Sequence, residues 1–393
     1  MTHRTLSRIA VAVFGLAFLL AGLACSKKAA EIGWKAEVEV VDGVKTIRNP
    51  ETPRYGTFAF DLAEDLVIGS ENDDAYFFPS SAGVAVDDEG TIFVVDFGNR
   101  RVQAYDKQGH YVRALGRTGQ GPGEYQFPSS IMIDADENII VNDSAQFLIH
   151  YSPEGLFQKR ITLKTFLSTM ILGPGGTIVG GPAPNYREEG GPKHKLIQLS
   201  PEGEMLRTLA EFRAYGASPG MMLFHRYSGS LPYCLRSEDS LFYGYSLDYR
   251  IHVVDGEGRE LLAFSKAEKS QGISGEEADL TRKEGIWASL GPGDRKTAPL
   301  DMPDHRPFFT RFISDDLGRL YVVRFKPITD KEIKTSDIDV FSKDGYYLYR
   351  MTWPFVPQAI RDGFFYEDRQ DEEAGLTRII RHRIENWADF RSE

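Results

Sequence analysis

The sequence predicts an all-β fold, a six-bladed β-propeller of four-stranded antiparallel blades, on three observations. First, Ser81–Pro128 reads as four short strands in succession: Gly83–Asp87, Thr91–Asp96, Arg101–Tyr105 and His110–Leu115. The breaks between them are Asp88-Glu89-Gly90, Phe97-Gly98-Asn99 and Asp106-Lys107-Gln108-Gly109. Short alternating or β-branched runs broken by Gly, Asn and Asp form an antiparallel meander. Second, the turn Tyr105–Gly109 recurs as Tyr151–Gly155, Leu199–Gly203, Val254–Gly258 and Phe341–Gly345, and a weaker sixth unit begins at Ile360–Tyr366. A lone meander buries little, so stacked copies with turn residues at fixed offsets supply the core. Third, aromatic residues make up 12% of the chain and it contains 38 glycines, as suits many strands joined by many turns.

The N-terminal part comes before the first complete blade. Arg4 and Arg8 precede an uncharged apolar run, Ile9–Leu23, and a small-residue site follows. That run is short for a membrane span, so residues 1–24 read as a signal peptide. Leu23-Ala24-Cys25-Ser26 resembles a bacterial lipobox, with Gly22 standing where an aliphatic residue is usual. The resemblance implies lipid attachment at Cys25. The cysteine count agrees, because the other cysteine, Cys234, lies in an apolar strand and reads as a small core residue. Residues 25–56 then read as a tether and an N-terminal strand, and 57–393 as the propeller. Trp34–Ile47 and Thr57–Ile68 have strand character. The sixth unit is short of strands at its C-terminal end, so a strand within Thr57–Ile68 is expected to complete the last blade and close the ring.

The blades are expected at 81–117, 128–163, 166–212, 231–265, 307–353 and 357–387, with insertions at 212–230 and 265–306. In the second insertion, Ser274 and Glu277 have capping-box spacing. Ala278, Leu280, Ile286 and Trp287 would give a helix there an apolar side, and Gly291-Pro292 would stop it.

The run Gly116–Ile131, with Val94–Gly109 before it, resembles the NHL-repeat family of six-bladed propellers, closely over Ser81–Leu163 and loosely beyond. That resemblance implies the fold but no single activity, since such propellers include enzymes, protein binders and RNA binders. It also implies that Arg101 packs between blades.

Loop lengths divide the two faces of the disc. Turns one to two and three to four of each blade are uniformly tight. Turns two to three and the crossings between blades carry the long segments: Arg117–Phe127, Gly181–His194, Phe212–Ser230, Ser265–Arg306, Phe325–Ser336 and Asp368–Gly375. Insertions confined to one face mark a binding face. The ligand-binding candidates on it are Arg100, Asn142, Asp143, His225, Arg226, Tyr227, His305, Arg306 and Arg324, with Tyr186-Arg187 and His194 nearby. Arginine and aromatic groups suit an anionic or sugar-like ligand, or a protein partner.

The net charge of −11 argues against nucleic acid as the partner. The histidines are scattered without a His-x-His or His-x₃-His pair, so a zinc site is not expected. Gly116–Gly123 lacks a following Lys-Ser/Thr, so a phosphate loop is not expected. The reading is therefore a monomeric, non-catalytic binding propeller, exported and lipid-anchored in the bacterial cell envelope. It needs no cofactor, and its partner is a small molecule, a glycan or an envelope protein, bound over the central channel. The rival reading is a calcium-dependent lactonase- or lyase-like hydrolase with its metal in the channel, where Asn142 and Asp143 could fill one ligand place.

Overall fold

The computed structural model describes residues 33–391, apart from 186–187, 219–220, 223–224, 285–290 and 292–300. The signal segment, Cys25, Tyr186-Arg187, Ile286 and Trp287 therefore lie outside the described residues.

Six antiparallel sheets form the blades of a propeller. Blades 1 to 5 take their four strands consecutively from 81–115, 128–162, 167–213, 233–266 and 309–353. Blade 6 uses Ala359–Arg361, Phe364–Asp371 and Leu376–Ile384, and its outer strand is Leu62–Ile68 from the other end of the chain. The register runs from Leu62 opposite Ile384 to Ile68 opposite Ile379. The ring is thus closed by strand pairing, as the sequence predicts.

The core is divided into six apolar clusters, one at each blade-to-blade interface. The second strands are covered on both faces, which is why Ile92–Asp96 and Ile139–Asp143 are buried throughout. The repeated turn glycines have two reasons to be glycine. Gly109, Gly155, Gly203, Gly258 and Gly345 all have φ between 75° and 86°, a region that costs a side-chain-bearing residue energy. Each also abuts the outer edge of the preceding blade. A Cβ on Gly109 would lie 2.6 Å from Leu66 Cδ1, and one on Gly345 would lie 2.7 Å from Phe264 Cδ1.

The N-terminal segment forms a belt. Trp34–Ile47, read from the sequence as one strand, is instead mostly a hairpin of Glu37–Val41 and Val44–Asn49, turning at Asp42-Gly43 with φ of 53° and 84°. Its second strand pairs in parallel with the outer strand of blade 4, Lys45 opposite Leu262. Asn49 then pins blade 4 to blade 5: its Nδ2 donates to the carbonyls of Ser265 (3.0 Å) and Gly345 (2.8 Å), and its Oδ1 accepts from the Tyr347 amide at 3.0 Å. The amides of Arg54, Tyr55 and Phe58 bond carbonyls of the outer strand of blade 5. The chain then enters blade 6.

One loop expectation is corrected. Asp368–Gly375 is not a long segment, because the second strand of blade 6 continues to Asp371 and the third begins at Leu376. The helix of the second insertion, α1, spans Gly275–Arg282. Its capping box is formed as expected: Ser274 Oγ accepts from the Glu277 amide at 3.2 Å, and Glu277 Oε2 accepts from the Ser274 amide at 2.8 Å.

Candidate functional site: a channel with two unlike mouths

The innermost strand of each blade runs from the long-loop face to the tight-turn face, so six strands wall a central channel of about 1600 Å³. Its two ends differ in chemistry because different parts of the strands reach them.

The tight-turn mouth is acidic. Asp88, Asp134, Asp136, Glu137, Glu238 and Asp316 line it. Burial raises the pKa of Glu137, and the charges of Asp87, Glu89 and Asp134 raise it further. Burial likewise raises that of Asp316, with Asp315 and Asp362 adding to the effect. The two arginines at this end are engaged: Arg361 with Asp88 and the Val86 carbonyl, and Arg236 with the Lys343 carbonyl at 2.8 Å and Ser240 Oγ at 3.1 Å.

Towards the long-loop mouth a polar layer crosses the channel. Thr169 and Arg311 each follow an irregularity of register near the start of their inner strands and pair with Gly181 and Val323. Tyr233 occupies the matching place in blade 4, and its hydroxyl lies 2.8 Å from both the Thr169 carbonyl oxygen and Thr169 Oγ1. Gln358 of blade 6 donates to Asp368 Oδ1 at 2.7 Å. Between this layer and the acidic mouth the wall is largely apolar, including Ile131, Ile133, Ile171 and Leu235. Cys234 also reaches the wall; it is a buried free thiol whose pKa burial pushes up to about 12.

None of the nine sequence candidates lines this channel. Asn142 and Asp143 are buried in the second strand of blade 2. There Asp143 Oδ1 accepts from the amides of Gln126 (3.0 Å) and Phe127 (2.5 Å), and Asn142 Nδ2 donates to Ser129 Oγ at 3.0 Å. Arg100 is exposed and stacks over Phe127 at 5.2 Å. Arg101 bridges Asp96 (2.8 Å) and the carbonyls of Asp74 and Phe77.

Five candidates join the long segments of blades 3 to 5 into one cap. Tyr227 donates to Glu277 Oε1 at 2.7 Å and accepts from the Ile328 amide at 3.1 Å. Arg306 donates to Glu277 Oε2 and to Gln271, each at 2.8 Å. His225 Nε2 is 3.0 Å from the Asp301 carbonyl, and Arg226 donates to the Lys326 carbonyl at 3.1 Å. His305 Nδ1 is 2.9 Å from the Arg306 carbonyl. Burial alone would raise the pKa of Glu277, but Arg306, the Ser274 amide and Tyr227 hold it at about 2. The carboxylate of α1 therefore ties both insertions to the 325–335 loop.

Arg324 is also spoken for. It donates to Asp339 Oδ2 at 2.8 Å and pairs with Glu268. Lys266, whose side chain is fully buried, lies 2.6 Å from Asp339 Oδ2 and 2.7 Å from Glu268.

Among the described residues, no group of three or more His, Cys, Asp or Glu side chains is placed to hold a metal ion. No described helix is long and apolar enough to cross a membrane.

The sheets define the class of fold: a six-bladed β-propeller around an open central channel. A family model described as a 6-bladed beta-propeller (DUF5128) matches residues 81–179, which are blades 1 and 2 and the start of blade 3. No curated protein matches. A Bacteroides fragilis protein described as exported is similar in structure at a TM-score of 0.51, with 16% identity, 86% of this chain and 99% of that one covered. A DUF4221 family member from Bacteroides vulgatus also aligns at 0.51, with 11% identity over 82% of this chain and 98% of that one. At these identities the likeness speaks to the fold. A gluconolactonase of Xanthomonas campestris aligns at 0.41 with 15% identity over 77% of this chain and 86% of that one, too distant to bear on the reaction.

Proposed function

We propose that this is a non-catalytic binding propeller of the bacterial cell envelope, exported through its N-terminal segment and held by lipid on Cys25. Its ligand is a small organic molecule that enters the channel from the long-loop mouth. The observation that carries this reading is the channel itself: about 1600 Å³ of open space with mostly apolar walls and one polar layer. Ligand pockets commonly measure about 300–1,000 Å³ and combine apolar walls with a few orienting polar groups. The long-loop mouth is favoured because the opposite mouth concentrates carboxylates, which repel anions and stay strongly hydrated.

The test is to fill the polar layer. Thr169 is exposed to the channel, so Thr169→Trp adds bulk where a ligand would sit, at the cost of the Oγ1 contact to Tyr233 and with the apolar blade interfaces kept. A fragment library screened by ligand-detected NMR should yield binders whose affinity falls at least about tenfold in this variant. Fragments that bind wild type and variant alike would overturn the channel reading.

Anchoring is tested separately. Cys25→Ala should shift the protein from the detergent phase to the aqueous phase, since acyl chains would supply the membrane affinity. Unchanged partitioning would contradict lipid attachment.

A further inference from the structure

Four cationic side chains with long stems line the channel, and they are not equivalent. Lys195 pairs with Glu188 and Glu211, Arg236 bonds Ser240 and the Lys343 carbonyl, and Arg361 pairs with Asp88. Arg311 alone among these four forms no hydrogen bond or ion pair. It is open to channel water yet ringed by protein, and burial lowers its pKa, with Asp368 opposing. A guanidinium stays protonated even so. Asp368, the opposing charge that acts on it, makes no ion pair with it and accepts instead from Gln358 at 2.7 Å.

We propose that Arg311 receives the carboxylate of a small organic monoacid whose apolar body lies along the channel wall towards the acidic mouth. This deepens the channel reading above and rests on it. A guanidinium ringed by protein and without an ion-pair partner is a place where an incoming anion gains a charge-assisted contact that a guanidinium can make bidentate. One positive charge calls for one negative charge. A dianion such as phosphate would carry surplus charge into a channel that has Asp368 behind Gln358 and a carboxylate rim at its far mouth. The apolar body follows from Ile131, Ile133, Ile171 and Leu235, of which Leu235 is 36% exposed despite its place on an inner strand. The Thr169 and Tyr233 hydroxyls and the Gln358 amide stand in the same layer to orient the head group.

The test is titration calorimetry with hexanoate, hexanamide and inorganic phosphate on wild type, Arg311→Gln, Arg311→Lys and Thr169→Trp. Wild type should bind hexanoate at least about tenfold more tightly than hexanamide or phosphate, the usual scale for one charged contact. Arg311→Gln should lose that preference and Arg311→Lys should keep part of it. The melting temperature of Arg311→Gln should stay close to wild type, because the side chain makes no hydrogen bond or ion pair to lose. Equal hexanoate affinity in Arg311→Gln, equal affinity for hexanamide, tighter phosphate, or no binding of hexanoate at all would each overturn the proposal. If Thr169→Trp abolishes binding and Arg311→Gln does not, the channel reading stands and the carboxylate assignment falls. If neither variant changes binding, both fall.

Discussion

Asp339→Asn is expected to cost about 3–5 kcal/mol of stability, the scale for removing one partner of a buried ion pair. Asp339 is fully buried between blades 4 and 5 and every side of its carboxylate is used. Oδ2 takes Lys266 at 2.6 Å, Tyr249 at 2.7 Å and Arg324 at 2.8 Å, and Oδ1 takes Tyr347 at 2.5 Å. Lys266 lies over the rings of Tyr249 and Tyr347, 4.8 and 5.1 Å from their centres, so its charge has no water to fall back on. An amide keeps the shape and loses the charge, leaving Lys266 and Arg324 with Glu268 alone. Part of the loss should return when Lys266→Met is added, because the double variant no longer buries that unpaired cation. Chemical denaturation of the three variants measures this.

The pH dependence has a definite sign. Burial alone would raise the pKa of Asp339, but Lys266 and Arg324 outweigh it and hold the carboxyl below the ordinary range. A carboxylate with a depressed folded pKa stabilises fully above its unfolded value, roughly 3.9, and progressively less below it. The stability gap between wild type and Asp339→Asn should therefore be widest near neutrality and narrow as the pH drops below about 4. A gap independent of pH would mean that the network contributes through shape and not through charge.

Removing residues 26–68 should abolish cooperative folding. The deletion takes away the outer strand of blade 6, the two added strands of blade 4 and the segment bonded along blade 5. Leu376–Ile384 would become an exposed edge nine residues long, and such an edge pairs with other chains. The ring would also lose the strand pairing that closes it, since blades 1 to 5 each take their four propeller strands consecutively from the chain. Aggregation, or a broad transition in place of a sharp one, is the expected result by light scattering and thermal melting. A deletion protein that stays monomeric with an unchanged transition would contradict the latch.

The fold was legible because its constraints are local. A glycine at the third turn is demanded twice over, by positive φ and by the preceding blade, so it recurs wherever a blade has a three-to-four turn. The sixth unit is faint for the same reason: its outer strand arrives from Leu62–Ile68, so it has no such turn to mark. The hairpin at Asp42-Gly43 had a local signal, since Asp-Gly between apolar alternations favours a tight turn. Its parallel pairing with blade 4 had none.

The site was much less legible. Charged and aromatic loop residues stand out in a sequence, but whether they meet solvent or each other depends on distant partners. Arg324 meets Glu268 and Asp339, and Tyr227 meets Glu277, only after folding. The channel layer shows the reverse. Phe309–Ser314 reads as an ordinary strand, and an arginine inside it gives no hint whether it faces the axis. One arginine amid apolar strand residues is the single signal that could have singled it out.

The most direct measurement is a structure of the protein with a fragment that binds it. Ligand density is expected in the channel, touching Arg311 and the layer of Thr169, Tyr233 and Gln358. Density on the cap around Tyr227, Glu277 and Arg306, or on the carboxylate rim of the tight-turn face, with the channel empty, would contradict it.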